Sequence, residues 1–470
     1  METFAYSEEL ANRLIKYALK RGADHVALLF QEEDSSSIAV ENGELRIFEA
    51  GKAAGLGIRL LVDGAQGIAS STVFSLNILK ESMEYALKMA KVAKGSIEKV
   101  TLASVRPLRV AVESPWKKSP EDYSDEEKLK LVLETNKSAA INGIVSSTTR
   151  MGWMTEKRIF ESSEGAHVET TVRMAGLAHS SITHLGDKME SVFDSESRCA
   201  GFEFITDTNW PEFSRKTSET ALKAVNAGTP PSGNYRIVAD PKLVGLIFHE
   251  ALGHASEGDL VAAKESVLEG RLGEKVASQE VTIFDQGIVE GGYYVPYDDE
   301  GVEKVRQVVV DKGLLRGFLH SRSSAKKLNA LPTGNARCEG FGDRPLVRQT
   351  NYFIGVGESN LEELLEDIDY GLYLCGRGAR GGEVNVGQGT FTFSAGPSFM
   401  IRKGELAEMV RGVSIGGMVL ETLNHVSAVG KEISVETRFF GGCGKDGQRA
   451  RVGVGGPHVR IEKMAVGGRE

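Results

Sequence analysis

Apolar and polar residues change their period several times along this chain, and each change predicts an element. Over residues 7–20, Leu10, Leu14, Ile15 and Ala18 recur at helical spacing and Gly22 closes the turn, so the chain opens on an amphipathic helix. Residues 25–30 form a short apolar run and 37–41 alternate. Asn42-Gly43 then predicts a tight hairpin into Leu45-Arg46-Ile47-Phe48. A second hairpin is predicted across Asp63-Gly64, joining strands over 57–62 and 66–71. Helical spacing returns over 76–93, with Leu76, Leu79, Met83, Leu87 and Ala90 on one face. Further helices are predicted over 124–140 and 210–226, around a meander of strands at 141–147, 151–161, 166–178 and 191–204.

The segment 227–233 combines two prolines with two glycines and is the clearest linker in the chain. It sets the expected division into an N-terminal domain, 1–228, itself divisible into 1–100 and 101–228, and a C-terminal domain, 229–470. Beyond the linker, a strand at 235–239 feeds a helix over 240–254. Short glycine-punctuated strands follow at 281–284, 305–310, 314–319, 383–393, 399–401, 407–413 and 433–440, with small helices at 360–367 and 417–424. Many short strands folding back on themselves predict a barrel or a strongly coiled sheet. The expected fold is therefore α+β, a mixed sheet-and-helix N-terminal region followed by a β-rich, barrel-like C-terminal domain that carries the 240–254 helix.

Charge changes this picture little. With 56 basic and 65 acidic side chains the net charge is -9, which gives no reason to expect nucleic-acid binding. There is no apolar run of about 18 residues and no hydrophobic leader, so no membrane partner is expected and the cytoplasm is the expected compartment. Cys199, Cys338, Cys375 and Cys443 form no CxxC pair, which signals neither a disulfide framework nor a structural zinc knuckle.

The chemistry concentrates in Phe248-His249-Glu250-Ala251-Leu252-Gly253-His254. Asp240 and Pro241 supply an N-cap and a first helical position, so both histidines project from one helix. In HExxH the ligands stand at i and i+4 with the glutamate as general base. Here the step is i to i+5, which leaves two side chains about 140° apart on a regular α-helix. Sharing a metal therefore requires a π-bulge or a break, and Gly253 is the residue best able to adopt an unusual conformation. A third ligand is also needed, and Glu257, His320, His425 and Cys443 are the candidates. Glycines around Cys443 let backbone approach a metal, and Lys445 would favour its thiolate. Glu257 could orient a ligating imidazole but reads first as a solvated helix end, His320 and His425 as structural or as supports behind the ligands, and Asp298, Asp299 and Glu300 as an exposed acidic turn. A glycosidase using Asp298 and Glu300 has no positional support beyond the acids themselves. The glycine-rich stretch 376–389 holds no phosphate-loop pattern and suits an extended edge to which a peptide can add as a strand.

These segments, with Tyr297-Asp298-Asp299-Glu300-Gly301, Gly317-Phe318-Leu319-His320-Ser321-Arg322, Gly334-Asn335-Ala336-Arg337 and Cys443-Gly444-Lys445-Asp446-Gly447-Gln448, resemble the TldD/PmbA metalloproteases of the metal-bearing TldD type. The resemblance implies that His249, His254 and Cys443 bind the metal and that Glu250 is the catalytic base. It also implies paired subunits and the cleavage of short or unfolded peptides. The expected function is that of a metal-dependent peptidase using Zn²⁺ or another divalent transition metal, acting as a homodimer or with a paralogous subunit lacking the metal motif. The alternative is a non-catalytic, protein-binding modulator with a structural metal, which the family's association with DNA gyrase modulation keeps open.

Overall fold

The N-terminal strands are far longer than predicted. His25–Glu41, Glu44–Val62, Ile144–Ser162 and His167–Leu185 run 17, 19, 19 and 19 residues, against a usual length of about five or six. The computed structural model describes residues 6–95, 98–379 and 381–468. Residues 1–5, ahead of the first helix, and Arg380 of the glycine-rich stretch fall outside them. Both predicted hairpins are present. Asn42 and Gly43 take φ of 49° and 81°, and Asp63 and Gly64 take 50° and 82°, the left-handed pairs a two-residue turn between twisted strands requires.

The sheet runs in the order Ala65–Ser71, Glu44–Val62, His25–Glu41, Ile144–Ser162, His167–Leu185 and Arg109–Glu113, with Lys188–Arg198 also paired to His167–Leu185. A 19-residue strand extends about 60 Å, whereas a helix of 12 to 18 residues spans only about 18–27 Å. One helix pair cannot cover such a face, and two pairs do. Glu8–Leu19 and Leu76–Ala93 cover one end, over Leu14, Phe30, Leu56 and Met83. Asp125–Ala139 and Trp210–Ala224 cover the other, over Ile38, Met151, Leu177 and Trp210. The opposite face of the sheet packs on the second half of the chain through Leu29, Phe160 and Val168 against Tyr297, and through Met154 and Met174 against Tyr293.

Buried in this region, His179 hydrogen-bonds Thr149 Oγ1 at 2.8 Å and Ser181 Oγ at 2.9 Å. Burial pushes its ring down to about 4 from the ordinary 6.5. As pH falls from about 6.5 toward about 4, the unfolded chain binds a proton that the folded chain refuses, so stability is lost across that window, by roughly 3 kcal/mol at most. We expect the urea midpoint of the N-terminal region to fall between pH 7 and pH 4.5. His179→Gln should flatten that dependence, and an equal slope in the variant would assign it elsewhere.

The C-terminal half corrects the expected architecture. Among the described residues its strands form two open sheets, of nine and six strands, and two two-stranded ribbons, with no barrel, and the curled sheet is the N-terminal one. The nine-stranded sheet ends on Gly381–Asn385 and Glu405–Val410, with Val459–Gly468, Gly233–Ala239 and Tyr370–Leu374 at its centre. The six-stranded sheet ends on Leu314–Leu315 and Ser434–Thr437, with Asn351–Ile354 beside Gly453–Gly456. Most of these strands are about five residues long, and among the described residues each of the two large sheets keeps two open ends. The long N-terminal strands accumulate twist and curl instead. Among the described residues no helix is long and apolar enough to cross a membrane.

Pro241–Phe248 packs on Gly453–Gly456, Asn351–Ile354 and Ser434–Thr437, all strands of the six-stranded sheet. Helix and strand meet at two glycines: a Cβ on residue 245 would stand 2.5 Å from the backbone nitrogen of Gly455. Gly245→Ala is expected to push the helix off its strand and cost about 1–3 kcal/mol, read as a lower melting temperature. An unchanged value would mean the contact yields freely.

Candidate metal centre

Strand Gly233–Ala239 delivers the chain to Asp240, whose carboxylate accepts the Leu243 N–H at 2.8 Å while Pro241 takes the first helical position. This N-terminus is as the sequence predicts. The helix is regular through Phe248, becomes a π-turn over His249–Gly253 and tightens to a 3₁₀ turn over His254–Ser256. The π-turn widens the helix by one residue per turn, so a five-residue step comes back to the same face. The two imidazoles consequently face each other with ring centroids 5.2 Å apart.

Gly253 plays a different part from the expected one. Its φ of -58° and ψ of -51° are ordinary helical values, so its backbone is unstrained. What matters is the missing side chain, because a Cβ there would lie 2.1 Å from Gln349 Oε1.

Cys443 arrives on the hairpin of Cys443–Lys445 and Gln448–Ala450. Its Sγ lies 3.2 Å from His254 Nε2, and one donor atom from each of His249, His254 and Cys443 falls within 4.8 Å of the others. His249 and Cys443 are buried, and the His254 side chain is 12% exposed. Glu250 is the open member of the group, its side chain 31% exposed and its Oε2 3.7 Å from His254 Nε2.

The electrostatics favour a thiolate in this cluster. Burial alone would push the Cys443 thiol up, but His249 and His254 beside it bring it down to about 5. For His254, burial opposes a charge, yet the Glu257 carboxylate and the Cys443 sulfur outweigh it and hold the ring well above its ordinary value. Glu257 corrects the reading of a solvated helix end. It is fully buried, its Oε2 3.2 Å from His254 Nδ1 and 2.9 Å from Lys445 Nζ. Burial works against its charge, but His254 and Lys445 hold the carboxyl at about 2. Lys445 is likewise not the partner of the thiolate. Its ammonium is spent on Glu257, on Asp259 at 2.8 Å and on the Val347 carbonyl at 3.0 Å.

Other candidates do not join the cluster. His320 is buried against Ser324 Oγ at 3.2 Å, and His425 caps the short helix Val419–Asn424. Asp298 and Asp299 overturn the expectation of an exposed turn. Asp298 accepts three backbone N–H groups, with burial and Glu300 pushing its carboxyl up to about 8, and Asp299 pairs with Arg158 at 2.9 Å. Glycine-rich 376–389 does supply an edge, since Gly381–Asn385 ends the nine-stranded sheet and lies against the π-turn. Sequence reasoning missed Gln349, which no spacing signals. Glu257, three residues beyond His254 and so on the same helical face, takes the less favoured of its two sequence readings, that of a carboxylate orienting a ligating imidazole.

Two imidazoles and a thiolate form a donor set that zinc takes readily. The profile of the PmbA/TldA metallopeptidase C-terminal domain matches residues 232–468, and that of the same family's domain 1 matches 26–94. A metalloprotease of Methanothermobacter thermautotrophicus is 40% identical over 92% of this chain and 93% of its own. A zinc metalloprotease TldD homolog of Saccharolobus solfataricus is 30% identical over 66% of this chain and 68% of its own. The solved structure of TldE from Thermococcus kodakarensis shares the fold, with a TM-score of 0.78 over 98% of this chain and 100% of that one at 20% identity. Profile, relatives and donor cluster agree, and the chain belongs to the TldD/PmbA family of metal-dependent peptidases.

Proposed function

We propose that the chain hydrolyses short or unfolded peptides, with His249, His254 and Cys443 holding the zinc and Glu250 serving as general base. The observation that carries this reading is the meeting, within 4.8 Å, of three donor atoms from elements 189 residues apart, beside a partly exposed glutamate. Zinc bound there supplies a Lewis acid for the scissile carbonyl and lowers the pKa of water toward about 7. Glu250 stands on the open side, where it takes a proton from the attacking water and passes it to the leaving amine. Glu257 fixes the orientation of the His254 ring through Nδ1, leaving Nε2 for the cluster. As a thiolate, Cys443 donates more charge than a third imidazole, which predicts modest turnover.

The substrate backbone adds to the free edge of Gly381–Asn385, a mode that reads extended chains with little regard to sequence. Its position against the π-turn supports this. We also propose the division 1–228 and 229–470, a cytoplasmic setting, and pairing with a second copy or with a paralogous subunit lacking the motif. The fold shared with TldE supports such a pair.

Chelation tests the reading. Stripping the metal is expected to abolish cleavage of a peptide library while the far-UV circular dichroism holds, and added zinc restores activity. Cleavage that survives complete metal removal would overturn the proposal, and wholesale unfolding would assign the metal a structural role.

A further inference from the structure

We propose that Arg348 and Gln349, adjacent in the chain, are positioning residues that set the distance between the two halves of the metal site. The inference rests on His249, His254 and Cys443 holding the metal.

The two halves come from distant sequence, and a pair of consecutive side chains joins them. Gln349 reaches the histidine half. Its Nε2 donates to the His249 carbonyl at 3.1 Å, the first carbonyl of the π-turn, and its amide fills the space beside Gly253. Arg348 reaches the cysteine half. Its guanidinium donates to the Cys443 carbonyl through Nη2 and to the Gln448 carbonyl at 3.3 Å through Nη1, bridging both strands of the hairpin. Arg348 is 1% exposed and Gln349 fully buried.

The backbone from which they project is pinned on every side. Asn335 grips Arg348 twice, its O accepting the Arg348 N–H at 2.8 Å and its Nδ2 donating to the Arg348 carbonyl at 2.7 Å. Arg337 donates to the Gln349 carbonyl at 2.9 Å and to the Arg451 carbonyl at 2.6 Å. Asp285 accepts the Thr350 N–H at 2.8 Å and its hydroxyl at 2.9 Å, and is itself held by the buried Lys304 at 3.2 Å. This gives a use to the Asn335-Ala336-Arg337 segment, which touches none of the donor atoms.

Among the described residues Arg348 has no carboxylate partner. A buried guanidinium that meets only carbonyls, its Nε left without a partner, is a costly way to fill space. Its two-pronged fork is well suited to holding two carbonyls at a fixed separation. The Gln349 amide does the complementary work, occupying the wide π-turn from the side and bonding its first carbonyl.

The test is zinc affinity of the full-length protein, by competition against a fluorescent chelator, together with the absorption of the cobalt(II)-loaded form. Gln349→Ala should weaken zinc about 10–100-fold while the metal-free chain keeps a cooperative melt. Arg348→Lys retains charge but loses the fork, and should diminish the thiolate-to-cobalt charge-transfer band relative to the d–d bands. Gly253→Ala should also weaken zinc, because its Cβ meets the Gln349 amide. Combined with Gln349→Ala it should cost less than the product of the two single losses, the new methyl taking the space the amide left. Wild-type affinity in Gln349→Ala with an unchanged cobalt spectrum in Arg348→Lys would overturn the proposal, as would strict additivity in the double variant. If Arg348→Lys does not fold, Gln349→Ala and the double variant decide. Failure of the wild-type chain to bind zinc would instead remove the assignment of the three ligands.

Discussion

Glu250→Gln is expected to retain zinc and lose hydrolysis. Glu250 lies beside the donor cluster and outside it, with Oε2 3.7 Å from His254 Nε2 and nearly a third of its side chain open to solvent. The amide keeps the size and shape of the carboxylate but cannot accept a proton from water. General-base catalysis contributes about 10²–10⁴-fold, so kcat should drop by a factor in that range. Bound zinc should stay near one per chain by elemental analysis. Because the side chain is partly exposed, its replacement should leave the fold untouched. Full activity in this variant would remove the proposed mechanism, and loss of zinc along with activity would move Glu250 into the ligand set.

Cys443→Ala should do the reverse, losing the metal while the chain stays folded. Two imidazoles alone make a weak site, and the sulfur is the donor that brings negative charge, its thiol held at about 5 by the neighbouring histidines. The hairpin that carries it is tied down independently, through the Arg348 guanidinium on the carbonyls of Cys443 and Gln448 and through its own register. Removing the sulfur should therefore empty the site without releasing the strand. Zinc should fall from near one per chain to near none, with activity lost in parallel. Unchanged stoichiometry would assign the third ligand elsewhere.

The central part of this site was legible before any coordinates. Asp240 and Pro241 announced the helix start, and the i to i+5 step between His249 and His254 required a deformed turn, which the π-turn supplies. The reason for Gly253 was not legible, because a glycine that makes room for a side chain a hundred residues away reads the same as one that bends backbone. Glu257, Asp298 and Asp299 looked solvated for a related reason. Charge predicts exposure until a partner is known, and their partners, Lys445, Arg158 and the backbone N–H groups around Asp298, arrive only with the tertiary fold.

Architecture failed in an instructive place. Residues Glu44–Val62 form one strand, yet most of the first half of it is exposed on both faces while the second half is buried, so no single periodicity runs through it. The same long strands that broke into short pieces on paper are the ones that curl. The glycine-punctuated C-terminal strands that suggested a barrel form open sheets.

The central claim is that one zinc ion is held jointly by the π-turn histidines and by a cysteine from the far end of the chain. X-ray absorption at the zinc edge of the loaded, full-length protein tests it most directly. One sulfur scatterer is expected at about 2.3 Å together with imidazole nitrogens at about 2.0–2.1 Å, with loss of the sulfur shell in any zinc that Cys443→Ala retains. A shell of nitrogen and oxygen alone in the wild-type protein would contradict it.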